Sequence, residues 1–259
     1  MSFFDRFKQS SNPVLNEDRL QETTRRGAAD GGGNITLDRD YTPATVSGAI
    51  NKTFILSFLL LITSLYSFGS PSPLFVWGGA IGGLVLVIAM CFKPKWSPTL
   101  APVYALVEGL FIGSISAIYA ANFGAGLVFQ AILLTIALLF MMLFIYKAGI
   151  IKVTEKFRTG VFMATGAIFL VYLLNFALGF FGMNLPYLHQ GGLIGIGISV
   201  VIIVIATLNL LVDFDSFERA EAMRAPKYME WFVSMGLIVT LVWLYLELLR
   251  LLSVLQGRD

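Results

Sequence analysis

Residues Phe232–Leu255 read FVSMGLIVTLVWLYLELLRLLSVL, a run of 24 in which Glu247 and Arg250 are the only charges. About 20 apolar residues in a helix cross the roughly 30 Å of hydrocarbon in a bilayer, so this run is long enough. Its apolarity is continuous, without the period-2 alternation of a barrel strand, and lipid then leaves the α-helix as its form. Six more such runs precede it: Thr53–Phe68, Leu74–Phe92, Thr99–Ala120, Phe123–Tyr146, Val161–Met183 and Leu193–Val212. The expectation is an all-α integral membrane protein, a bundle of seven transmembrane helices seated in a lipid bilayer.

Composition agrees. Of 259 residues 57% are hydrophobic and 13% charged, with a mean hydropathy of +0.79, whereas soluble domains carry about 25% charged residues. The net charge of +2, with no basic stripe in any span or loop, argues against nucleic acid as a partner. Cys91 is the single cysteine and can form no intrachain disulfide. When the chain is threaded through seven spans, sixteen of its 18 Lys and Arg fall on one side. The positive-inside rule makes that side cytoplasmic, with the N-terminus in and the C-terminus out. The expected location is the cell's inner (plasma) membrane, crossed many times.

Residues 1–50 are read as a largely flexible cytoplasmic tail and 51–259 as the transmembrane domain. Gly31-Gly32-Gly33 and Pro43 interrupt any long helix in the tail, whose composition buries too little apolar area to fold alone. Phe3, Phe4 and Phe7 stand at helical spacing, which leaves open a surface helix or an unstructured start. The first apolar run begins beyond residue 50, so no signal peptide is expected. Pairs of glycines four apart (Gly78 and Gly82, Gly79 and Gly83, Gly109 and Gly113, Gly191 and Gly195) predict close helix contacts and carry no activity.

Several chemistries are excluded by residue type. A retinal Schiff base needs a lysine inside a span, and no span holds one. Metal-assisted hydrolysis needs several His or Cys ligands, yet His189, in an outer loop, is the lone histidine. A serine nucleophile needs a neighbouring base, which no span offers. Intramembrane aspartyl proteolysis wants acids in a glycine-rich motif, and neither Asp213 nor Asp215 has a glycine beside it. The chain is not read as an enzyme, and no metal site or cofactor is assigned.

What remains is a short set of polar groups. Glu108, Glu247 and Arg250 are the charges within the spans, and Asp213 and Asp215 stand at the edge of the sixth. A charge in hydrocarbon is costly and marks a functional site by default. At 1.5 Å per residue, Glu108 lies roughly 14 Å deep and Glu247 roughly 22 Å from the inner edge. Asp213 falls at the inner boundary, one turn beyond Asn209, and Asn175 shares the depth of Glu247. In one reading these groups line a water-accessible cation or proton path, with Asp213, Glu247, Glu108 and Asp215 as sensors and Asn209, Asn175 and Arg250 in support. Burial penalises the ionised form of an acid, so protonation could switch its pairing. In the plainer reading Glu247 pairs with Arg250 at i, i+3, Glu108 is a hydrogen-bonded neutral acid, and the two aspartates are interfacial.

Val212-Asp213-Phe214-Asp215 ending the sixth span, Leu244-Tyr245-Leu246-Glu247 in the seventh and Glu108-Gly109-Leu110 in the third resemble the Bax inhibitor-one family. Ser11-Asn12-Pro13-Val14 adds to the likeness, and Glu230-Trp231 suggests a bacterial branch. The resemblance implies a central seventh helix wrapped by the other six and a pH-sensitive Ca²⁺ leak gated by an acidic pair. Carried onto this chain, the pair is Asp213 on the sixth helix and Glu247 on the seventh. The depths set them roughly 20 Å apart. Either the seventh helix begins deeper, or Asp213 pairs with another group such as Glu108 or Glu230. Ca²⁺ or H⁺ is thus the implied ion. The resemblance also allows a regulatory protein that binds other membrane proteins, such as a quality-control protease, through the tail and the loop Phe214–Glu230.

Overall fold

The computed structural model describes residues 42–179 and 193–257. Seven long helices fill them: α1 Val46–Gly69, α2 Pro73–Phe92, α3 Ser97–Phe123, α4 Ala125–Lys147, α5 Glu155–Gly179, α6 Leu193–Ala222 and α7 Met229–Gln256. All seven are long and apolar enough to cross a membrane, so the seven-span reading holds and this is a multi-pass membrane protein. The possible surface helix at Phe3–Phe7, the tail glycines, Gly191 and His189 lie outside the described residues.

Several helices extend past the apolar runs, for identifiable reasons. α1 begins at Val46 rather than Thr53, because Thr45 caps it by accepting the Gly48 N–H at 2.9 Å. Residues 42–50 therefore belong to the helical unit and not to a tail: Pro43 bridges to Pro226, and the Ala44 N–H donates to the Ala225 carbonyl at 2.7 Å. α6 runs nine residues past Asp213. Leu210, Phe214, Phe217 and Ala220 form a buried stripe at spacings of three and four, while Asp215, Glu218 and Arg219 remain accessible. Asp213 thus lies within a helix, about 13 Å before its end, and α6 does not stop where the apolar run does.

α7 is the most buried helix and packs against α1, α3, α4 and α6, consistent with its expected central place. It is not wrapped evenly, since the main packing of α2 is on α3 and that of α5 is on α6. The glycine pairs explain two contacts. A Cβ on Gly109 would strike Thr63 and the Leu60 carbonyl, and one on Gly113 the Ser64 carbonyl, so these glycines let the α1 backbone lie against α3. Gly79 accommodates Phe111 in the same way where α2 meets α3, whereas Gly78 meets open space. Gly124, at φ 88°, makes the turn from α3 into α4.

Candidate functional site

Four acids stand along the bundle in four different settings, three of them buried and Asp213 half-buried. Glu230 occupies the first turn of α7 and is 1% exposed. Its Oε1 accepts from the Thr45 N–H at 2.9 Å and the Thr45 hydroxyl at 3.2 Å, and its Oε2 accepts from Lys52 Nζ at 2.5 Å. The Lys52 ammonium also sits 5.5 Å from the Trp231 ring centroid. Gly48 leaves the space the carboxylate fills. This acid is fully answered, and it clamps the start of α1 to the start of α7.

Asp213 is different. It faces α7 from α6, with Gly236 and Thr240 as its neighbours there. Its Oδ2 is screened from solvent and has no hydrogen-bond partner among the described residues. Gly236 lies seven residues into α7, about 10 Å along its axis. A bare carboxylate oxygen at that depth is costly, since burial strips its hydration and no cation among the described residues replaces it.

Glu247, 5% exposed, closes a network between three helices. The Tyr172 hydroxyl of α5 donates to its Oε1, and Arg250 Nη2 lies 3.3 Å from its Oε2, an ion-pair contact on an oxygen that has no hydrogen bond among the described residues. Arg250 also donates from Nη1 to the Tyr172 hydroxyl at 3.0 Å and from Nη2 to the Ser199 hydroxyl of α6 at 3.1 Å. The i, i+3 pair expected between Glu247 and Arg250 is present, but as part of a larger knot that ties α5 and α6 to α7.

Glu108, 8% exposed, sits between α3 and α2. A Cβ on Gly83 would meet its Oε2, and the Tyr104 ring lies beside it. It therefore faces a peripheral helix rather than α7. Asp215 pairs with Arg158 of α5, in a surface cluster with Arg219–Glu155 and Lys147–Glu218. Asn209 donates to the Thr165 hydroxyl at 2.7 Å, joining α6 to α5, and Asn175 lies on α5 three residues beyond Tyr172.

The candidate residues thus do not converge. Asp213 and Glu247 do not form the expected pair, because Asp213 abuts Gly236 and Thr240, seven to eleven residues back along α7, or about 10–16 Å. The alternatives for Asp213 do not meet it either: Glu230 is held by Lys52 and Thr45, and Glu108 faces Gly83. Sequence reasoning overlooked Tyr172, Ser199 and Lys52. The first two are hydroxyls inside apolar runs, which a search for charges passes over. Lys52 stands one residue before the expected first span, outside the apolar runs in which charges were sought. No curated protein matches the chain. A family model described as Bax inhibitor 1 like matches residues 12–257, nearly the whole length, and the chain belongs to that family.

Proposed function

We propose that this protein is a proton-regulated cation leak of the cell's inner membrane, with Ca²⁺ as the cation and the Lys- and Arg-rich end of the bundle in the cytoplasm. The observation that carries this reading is Asp213 on α6, whose Oδ1 faces Gly236 of α7 while its screened Oδ2 has no hydrogen-bond partner among the described residues. An acid held this way costs stability that a neutral residue would not. Hard oxygen ligands suit Ca²⁺, and Asp213, which has no ion pair among the described residues and faces the central helix α7, is placed to meet one. A proton competes for the same oxygen, so cation passage falls on acidification as Asp213 takes up a proton.

The Glu247–Arg250–Tyr172 knot then serves as a closure in the opposite half, because α5 and α6 cannot part from α7 while it is intact. Glu108 and Asp215 lie off this route, one against α2 and the other at the surface with Arg158. The resemblance noted in the sequence points to the same activity. The test is Ca²⁺ flux into vesicles carrying the full chain, followed between about pH 6 and 8. Asp213→Asn should flatten the pH dependence and Glu247→Gln should raise the basal rate. A flux that both substitutions leave unchanged refutes the reading.

A further inference from the structure

Between α1 and α4 lies a cavity of about 520 Å³, floored by α3 and α7. That volume falls within the roughly 300–1,000 Å³ of small-molecule sites. On α1 it is lined from Ser57 to Phe68, a rise of about 16 Å. Half of a bilayer's hydrocarbon is about 15 Å thick. The groove is therefore as long as one leaflet is deep, and it occupies the half of the bundle away from the Lys52–Glu230 clamp.

Its chemistry suits hydrocarbon and not an ion. The Ser116 and Tyr245 hydroxyls on the floor bond to each other at 2.6 Å. The Thr135 hydroxyl donates to the Ala131 carbonyl at 2.8 Å, and that of Ser64 to the Leu61 carbonyl at 2.9 Å. These polar groups are already engaged within the protein, so what they present to the cavity is carbon. The rim residues Leu61, Leu65, Phe129, Ile132 and Ile136 are exposed. They belong to the same apolar surface that the bilayer covers, so the groove is a continuation of the lipid-facing surface into the bundle.

We propose that this groove holds one acyl chain of a surrounding membrane lipid, entering beside Phe68 and Ala125 and running inward to Thr135 and Ile238. The chain would lie on Tyr245, two residues before Glu247. Phosphatidylethanolamine vesicles carrying the full protein, doped with the same lipid bearing a diazirine midway along one acyl chain, provide the test. After irradiation, adducts are mapped by mass spectrometry. Label is expected on the floor residues Ile238 and Tyr245 as well as on Leu84, which faces outward from α2. Thr135→Phe, which fills the groove, should remove most of the floor label and leave that on Leu84. Floor residues left unlabelled in the wild-type protein while Leu84 is labelled overturn the proposal, whether or not the plugged variant folds. Floor label that persists in both Thr135→Phe and Ser57→Phe overturns it too. So does protection of the floor confined to a dimeric fraction, which would assign the groove to a second copy.

Discussion

Glu247 on α7 and Asp213 on α6, which faces α7, stand in opposite surroundings. Around Glu247 the chain supplies a guanidinium, a phenol and, through Arg250, a serine hydroxyl from a third helix. Around Asp213 it supplies a glycine and a threonine; each acid keeps one oxygen without a hydrogen bond among the described residues, but only that of Glu247 has a guanidinium beside it. The first arrangement is how a membrane protein makes a buried charge tolerable. The second leaves a cost uncompensated, as at sites where stability is given up for activity. The two acids should therefore answer substitution in opposite ways.

The largest effect should come from breaking an answered pair. Glu247→Ala leaves the Arg250 guanidinium without its anion, and Lys52→Ala does the same to the Glu230 carboxylate. Each should cost about 3–5 kcal/mol, read as a fall in the melting temperature of the protein in detergent. Tyr172→Phe removes one hydroxyl shared by Glu247 and Arg250 while leaving their ion pair, and should cost about 1–3 kcal/mol. Arg158→Ala strips a partner from Asp215 at the accessible end, where the pair is worth about 0–1 kcal/mol. The smallest change in stability, and the one with reversed sign, belongs to Asp213→Asn. Replacing an uncompensated acid by a neutral isostere should leave the melting temperature unchanged or raise it. A loss as large as that of Glu247→Ala would erase the distinction between the two acids.

The spans were legible because roughly 20 apolar residues in a row have one use. Their ends were not. The extension of α6 past Asp213 alternates Phe214 and Phe217 inward with Asp215, Glu218 and Arg219 outward, and averaged hydropathy reads such a stretch as loop. Missing that extension left Asp213 at the end of its helix and turned the question of its partner into one of depth. The acids themselves were visible as rare charges. The groups that answer them were not, because Tyr172 and Ser199 count as ordinary members of apolar runs. Which turn of α6 lies beside which turn of α7 is a matter of packing register, and it is carried by contacts such as Gly236 against Asp213 rather than by any motif.

The most direct test of this account is the pH profile of Ca²⁺ flux in vesicles carrying the Asp213→Asn protein beside wild type. Wild type should conduct less at about pH 6 than at pH 8. The variant should give a flat profile at a rate lowered about tenfold at the upper pH, a change of about 1.4 kcal/mol. A variant that keeps the wild-type profile would contradict the assignment of Asp213 as the group where proton and cation compete.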